Sequence, residues 1–316
     1  MTMEILKASE PSFEVVKVER TFSADFFQRF IKFLDASPKT IATYTKAIKQ
    51  LALYFSEAGV VEPKREDILN FREELNRKGC KPTTIQNYIT ATRIFFRFLS
   101  QEGLYPNVAD KVKGAKLDKN HKKEYFTASQ VKSVLHTIDR NTLEGKRNYA
   151  LATLLFTCGL RCIEASRANI EDMGLVGGFS VLHLQGKGRT ERTEYVKLPA
   201  ETEEAIRDYL KARGTAEASE PLFISFSNNS KGKRLSERSV SGAMKSMFLE
   251  AGFNSSKLTA HSARHTAVTL ALLQGNSIEQ AMEFARHKNI ATTMIYNHTL
   301  DMAKNGCSAS VASLIF

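Results

Sequence analysis

The stretch KVKGAKLDKNHKKE, residues 111–124, most constrains how this chain can fold. It is strongly basic and poor in apolar side chains, so it offers little to a core and reads as a linker. A chain interrupted there has to build a separate core on each side. With 316 residues in all, each half is long enough to do so. The expected organisation is an extension over 1–20, a helical unit over 21–110, the linker at 111–124, and a second unit over 125–316 that includes a C-terminal tail.

The first unit carries three helical patterns. Ile41, Tyr44, Ile48, Leu51 and Phe55 recur at helical spacing, and Ser37-Pro38 supplies an N-cap and a first-turn proline. Gly59 ends that helix. A second helix is expected from Arg65 to Lys78, stopped by Gly79. A third opens at Pro82 and closes at Gly103, with Ile85, Tyr88, Ile89, Ile94, Phe95 and Phe98 as core candidates. The faces opposite these stripes present Lys39, Thr43, Lys46 and Lys49 on the first helix, and Thr83, Thr84, Asn87 and Arg93 on the third. These side-chain types contact phosphates and base edges. An ordinary solvated helix face has the same pattern.

In the second unit Thr127-Ala128-Ser129-Gln130 reads as a helix start and residues 147–158 as a largely apolar helix. After Gly159 a short helix begins at Arg161. The alternating runs Phe179–Leu184 and Thr193–Leu198 read as paired strands, joined by the turn-rich Gln185-Gly186-Lys187-Gly188-Arg189. Helices are expected from Glu201 to about Leu300, broken by a loop at 214–234. The fold class is therefore mainly α with a small antiparallel β-sheet.

Composition narrows the partners. A net charge of +11 and a pI near 9.4 favour a polyanion, most simply nucleic acid. Four cysteines in a chain of this length do not make a disulfide framework. Cys158 and Cys162 stand four apart on an apparent helix, but no histidine or cysteine lies near enough in sequence to complete a tetrahedral metal site, so they read as core thiols. The N-terminus lacks a signal-peptide pattern, and the longest apolar run, Tyr149–Phe156, is too short to span a bilayer. No membrane association and a cytoplasmic location are the expectation.

The residues fit for chemistry gather late in the chain. His261 and Arg264 share a helical face, and His287 and Tyr296 follow within thirty-six residues of His261. Arginine and histidine donors can hold an anionic phosphate while a tyrosine oxygen attacks phosphorus. Each residue alone has a plainer reading. Arg161 can be a surface arginine, Glu164 a helix-surface acid, Lys187 part of a flexible turn and Tyr296 a core aromatic. His265, adjacent to Arg264, is read as structural and pointing elsewhere.

Taken together, Thr157-Cys158-Gly159-Leu160-Arg161 with Glu164, Gln185-Gly186-Lys187-Gly188, His261-Ser262-Ala263-Arg264-His265-Thr266, and Arg286-His287 through Ala291-Thr292-Thr293-Met294-Ile295-Tyr296 resemble the tyrosine recombinase (phage integrase) family. Residues 38–58 also look like that family's core-binding helices, and the likeness runs from about residue 21 to about 300. The resemblance implies a helical core-binding, DNA-binding domain followed by an α+β catalytic domain. It implies a site-specific recombinase that cuts and rejoins DNA through a 3′-phosphotyrosyl intermediate and a Holliday junction.

Carried onto this chain, the resemblance makes Tyr296 the nucleophile. Arg161 and Arg264 become the phosphate ligands, Lys187 the acid for the leaving 5′ oxygen, and His261 an aid to proton transfer. His287 becomes a donor to the phosphate and Glu164 a supporting residue. Lys39, Thr43, Lys46, Lys49, Thr84, Asn87 and Arg93 are the expected DNA-binding residues. No metal or other cofactor is implied, because the arginines supply the positive charge. The implied partners are double-stranded recombination sites, three further copies forming a homotetramer on DNA, and accessory DNA-bending or directionality proteins. The segment before position 21 is too short for a separate arm-binding domain, which points to a Xer-like or compact mobile-element recombinase. The apolar end near residues 311–316, closing in Ser313-Leu314-Ile315-Phe316, is expected to dock on a neighbouring subunit.

Two neighbours depart from the family's habit. Leu-Gly usually precedes the histidine matching His287, where this chain has Ala285-Arg286. Leu often precedes the arginine matching Arg264, where it has Ala263. Arg286 would bring an extra positive side chain within reach of a phosphate. The rival readings are a type IB topoisomerase-like enzyme that relaxes supercoils, and a DNA-binding protein without catalysis.

Overall fold

The computed structural model describes residues 5–9, 12–16, 24–116, 124–186 and 191–296. The chain divides into two compact units, residues 1–120 and 121–316. The first opens with an antiparallel hairpin, β1 (Ile5–Ser9) and β2 (Ser12–Val16), in register Lys7 opposite Glu14. The extension read as having no clear period is therefore strand over much of its length.

Four helices follow: α1 (Ala24–Leu34), α2 (Pro38–Glu57), α3 (Arg65–Arg77) and α4 (Pro82–Gln101). The Ser37 side chain caps α2 by accepting from the Thr40 N–H, and Pro38 and Pro82 occupy first-turn positions. Gly59, Gly79 and Gly103 take positive φ where α2, α3 and α4 end. Helix α1 was not expected. Its apolar positions are mostly phenylalanine, and they fill the same core as α4: Phe30 meets Phe95 edge-on at 5.4 Å between centroids, and Phe26 meets Phe98 at the same distance. Ile48, Leu51, Phe55, Ile85, Ile89, Phe95 and Phe98 are buried, while Ile41, Tyr44, Tyr88 and Ile94 are partly covered.

The start of the basic run also belongs to this unit. Val112 is buried, and Arg65 and Arg72 donate to the carbonyls of Asp110 and Lys113. The polar faces of α2 and α4 stay accessible. Lys39, Thr43, Lys46 and Lys49 are exposed, as is Asn87, and Thr84 and Arg93 are partly so. The Thr43 hydroxyl donates back to the Lys39 carbonyl at 2.8 Å.

The second unit begins with α5 (Ala128–His136), capped by Thr127 with a reciprocal Gln130 bond. Helix α6 (Leu143–Cys158) is buried on almost every side from Ala150 onward and packs against both α8 (Ala200–Arg213) and α10 (Ala260–Leu273). Leu151, Leu154 and Leu155 on α6 are wholly buried. The short α7 (Cys162–Arg167) and the sheet come between α6 and α8. The sheet is an antiparallel meander, β3 (Met173–Val176), β4 (Phe179–Leu184) and β5 (Glu194–Lys197), with Leu182 opposite Val196. β4 and β5 are the expected pair, and β3 is an added edge strand. Helices α9 (Glu237–Glu250) and α11 (Ile278–Ala285) and a final helical segment, residues 290–296, complete the unit.

Candidate active site

Two sharp turns bring the chemistry together. Gly159 caps α6 in the left-handed conformation (φ 58°, ψ 34°), and a Cβ at this position would sit 3.2 Å from the Phe284 ring. Glycine meets both demands, positive φ and close approach. The reversal makes Arg161 the N-cap of α7. Cys158 and Cys162 therefore lie on different helices, not on one face as their spacing suggested. Burial pushes both thiols up to about 11, and no metal-binding group occurs among the described residues.

The second turn ends α11. Its cap is Arg286, also left-handed (φ 52°, ψ 46°), with the His287 N–H returning to the Met282 carbonyl at 3.0 Å. This is a Schellman-type ending with arginine where glycine is the low-strain choice. The substitution of side chain for hydrogen costs about 1–2 kcal/mol in backbone strain.

Both turns aim carbonyls at arginines. Arg264, on α10 and only 2% exposed, donates to the Gly159 carbonyl at 2.6 Å and to the Ala285 carbonyl. Burial, then the guanidinium groups of Arg161 and Arg286, pull it down to about 10, so it remains charged at neutral pH. Arg161 donates to Glu164 at 2.5 Å and to the Arg286 carbonyl at 3.2 Å. Glu164 is fully buried and accepts from the Arg161 N–H at 2.7 Å and from Arg286 at 2.9 Å. Burial acts to raise its carboxyl, but Arg286 and the Arg161 backbone bond and charge outweigh it and hold it below the usual range. Glu164 thus lies behind Arg161.

In front of these arginines is a cleft of about 300 Å³ lined by Arg161, His261, Arg264, His265, His287, Thr292, Ile295 and Tyr296. Five of the six residues expected to act on phosphate meet there. Lys187 lies outside the described residues, as do the tail at 311–316 and Cys307. Tyr296 is also part of a small core with Val268, Leu272, Ala281 and Ala285. The two places are compatible: the residue is largely buried, beside the rings of His265 and His287, and still borders the cavity. Burial raises its phenol above the ordinary value, against the lowering pull of Arg264 and Arg161.

Two residues have places other than those the sequence suggested. His265 does not point elsewhere. Its ring is 4.3 Å from that of Tyr296 and stacks at 6.2 Å on Tyr125. The signal was available: His265 is four residues after His261 on one helix, so both reach the same face. Arg286, expected to add a phosphate contact, instead buries its guanidinium against Glu164, the Gly159 carbonyl and the Phe284 carbonyl.

A third residue, Thr293, was missed altogether. It is fully buried and its hydroxyl is 2.9 Å from His287 Nδ1. If that hydroxyl donates, Nδ1 accepts and the imidazole proton resides on Nε2. Burial, followed by the charges of Arg264, Arg161, Arg286 and His261, lowers His287 to about 4. It is therefore neutral at physiological pH and has one proton to offer. Nothing in the local sequence pattern marks the Thr293–His287 bond, because it joins the turn after α11 to the final helical segment six positions on, a spacing that regular helix geometry does not pair.

Comparison with known proteins agrees with this geometry. The phage integrase family profile matches residues 124–302, and the phage integrase N-terminal SAM-like domain matches residues 24–104. The chain is 30% identical to the tyrosine recombinase XerA of Pyrococcus furiosus over 281 residues, covering 88% of this chain and 91% of that one. It is 33% identical to the tyrosine recombinase XerC of Alcanivorax borkumensis over 238 residues, 73% of this chain and 74% of the relative. In fold it resembles the XerH site-specific recombinase in a post-cleavage complex with palindromic difH substrate. That likeness has a TM-score of 0.72 at 21% identity, over 93% of this chain and 86% of the other. A helical first unit, a second unit of helices around a three-stranded sheet, and a tyrosine beside two buried or half-buried arginines all converge with these matches: the chain belongs to the phage integrase family and is a tyrosine-type site-specific DNA recombinase.

Proposed function

We propose that the cleft is the strand-transfer site and that Tyr296 is its nucleophile. The Tyr296 oxygen attacks a scissile DNA phosphate, its proton leaves with the help of His261, and a 3′-phosphotyrosyl bond forms. The bond from phosphorus to the 5′ oxygen breaks, and Lys187 protonates that oxygen. Arg161 and Arg264 hold the non-bridging oxygens, where charge develops in the transition state. Neutral His287 donates from Nε2 to the same phosphate. Glu164 holds Arg161 in place. Attack by the 5′-hydroxyl of a partner strand reverses the chemistry and exchanges strands through a Holliday junction. The phosphodiester energy is kept in the covalent link, so no nucleotide is consumed.

The observation that carries this reading is the convergence of Arg161, His261, Arg264, His287 and Tyr296 on one cleft from three separate segments. On the first unit, the accessible Lys39, Thr43, Lys46, Lys49, Thr84, Asn87 and Arg93 are the side chains we assign to duplex contact. Support for DNA as the partner comes from the net charge of +11 and from XerH, a relative in fold that is bound to its difH substrate. Exchange between two duplexes needs four active sites, so we assign a homotetramer on DNA, with accessory DNA-bending or directionality proteins acting on the assembly. We also assign a cytoplasmic place of action. No helix among the described residues is long and apolar enough to cross a membrane.

The test is trapping on a nicked suicide duplex carrying the cognate site. Wild-type protein should give a covalent protein–DNA adduct and Tyr296→Phe should give none. An adduct that survives the substitution removes Tyr296 from the role.

A further inference from the structure

Among the described residues, Arg286 is the arginine of the Arg161–Arg264–Arg286 cluster that does not line the cleft, and its position is unusual on three counts. Its backbone is left-handed, a conformation that glycine adopts without strain. Its side chain is only 7% exposed, although it carries a full charge. Its donors go to the Phe284 carbonyl at 2.9 Å, the Gly159 carbonyl at 3.2 Å and Glu164 Oε2 at 2.9 Å, while its Nε is buried without an acceptor. An arginine selected only for stability would not combine backbone strain, desolvation and an unmet donor.

What the side chain does for the site follows from its partner. Glu164 is fully buried between two guanidinium groups, Arg161 at 2.5 Å and Arg286 at 2.9 Å. Without Arg286, Arg161 would be the one guanidinium left in a direct ion pair with the carboxylate, and Arg161 also faces the cleft. A carboxylate with one arginine as its only ionic partner competes with a phosphate for that arginine.

We infer that Arg286 is a positioning residue for strand cleavage: its side chain neutralises Glu164 and thereby leaves the Arg161 guanidinium available to the scissile phosphate. The backbone contributes separately, because the Arg286 carbonyl accepts from Arg161 and the Ala285 carbonyl from Arg264. Glycine at position 286 can keep that backbone geometry, so Arg286→Gly removes the side chain and leaves both carbonyls in place.

The inference rests on Arg161 being a phosphate ligand, and the experiment separates the two. Single-turnover adduct formation is measured on the nicked duplex with saturating protein, alongside duplex affinity and thermal unfolding. The proteins are wild type, Arg286→Gly, Arg286→Lys, Glu164→Gln and the Arg286→Gly/Glu164→Gln double variant. Arg286→Gly should slow adduct formation at least about tenfold, the effect of losing part of one charge-assisted phosphate contact. Duplex affinity, which comes from many phosphates, should change less than about threefold. Arg286→Lys should recover part of the rate by restoring the charge.

The double variant should be faster than Arg286→Gly alone, since no carboxylate is left to claim Arg161. The ratio of wild-type to Arg286→Gly rates should shrink as pH falls, because burial then protonates an unneutralised Glu164. Equal rates for wild type and Arg286→Gly, or a folded double variant no faster than the single, would overturn the inference. Should Arg286→Gly not fold, Glu164→Gln and the double variant carry the test. They should cleave within about twofold of each other, and a much slower double variant overturns the inference equally. Absence of any Tyr296-dependent adduct from wild type refutes the parent reading and this one with it; an adduct indifferent to Arg286 refutes this one alone.

Discussion

Acidification should weaken the second unit through His287, by an amount the structure allows to be worked out. An unperturbed imidazole titrates near 6.5, whereas burial and the surrounding arginines lower His287 to about 4 in the fold. Between these values the unfolded chain binds a proton that the folded chain refuses, so stability falls as pH drops. At pH 5 the full shift corresponds to about 2 kcal/mol. The side chain is only half-buried, and allowance for solvent screening brings this to about 1 kcal/mol.

Glu164 contributes with the same sign. Its folded carboxyl is held below its ordinary value, so the stability it lends is present above the unfolded value and is lost as pH falls through the folded one. Its window therefore lies at the acid end, below that of His287. The assay is a pair of measurements on the free protein. The first follows the labelled histidine ring signals by NMR from pH 7.5 to pH 4.5, where His287 should remain neutral through pH 5. The second compares urea unfolding of wild type and His287→Gln at pH 7 and pH 5. The wild type should lose about 1 kcal/mol more than the variant. A His287 midpoint between 6 and 7, or parallel loss in the two proteins, would refute the claim that the arginine field keeps this imidazole neutral.

Other consequences follow from single contacts. Thr293→Val keeps the shape of a buried side chain and removes the hydroxyl 2.9 Å from His287 Nδ1; adduct formation should slow by about tenfold if that bond sets the tautomer, and an unchanged rate would dismiss it. Arg264→Ala strips the Ala285 carbonyl of its donor and leaves the Gly159 carbonyl with Arg286 alone. It should cost about 2–4 kcal/mol in denaturant unfolding and about a hundredfold or more in adduct formation, so retained stability would mean the carbonyls find other partners. Phe30→Ala removes a ring that is 1% exposed against Phe95 and Phe98. The first unit should lose about 3–5 kcal/mol by thermal or urea unfolding, and a loss below about 1 kcal/mol would contradict its place in that core.

Much of the fold was legible because its signals are local. Ser37-Pro38, Lys81-Pro82 and Thr127-Ala128-Ser129-Gln130 mark helix starts through contacts within three residues, and Gly59, Gly79 and Gly159 mark ends by tolerating positive φ. The apolar stripe of α2 and the alternation of β4 needed only their own periods. Helix α1 was less visible because its phenylalanines make sense only beside those of α4, about seventy residues away in sequence. The strands at Ile5–Ser9 and Ser12–Val16 were missed because their residues mix polar and apolar types without a consistent pattern.

The candidate site divides in the same way. Sequence by itself determined which groups were at hand, namely the arginines, histidines and Tyr296 in an order that resembles one family, and it placed His261 and Arg264 on one helical face. Even His265 was within reach of that reasoning. Only the tertiary structure decided what those groups touch. The Arg264–Gly159 bond spans 105 residues and the Arg286–Glu164 pair 122, and both depend on how α6, α7, α10 and α11 meet. No local spacing reports whether an arginine beside a histidine faces a phosphate or a buried carboxylate. Packing settles it, because a charge taken out of water has to find its counter-charge wherever the fold has brought one.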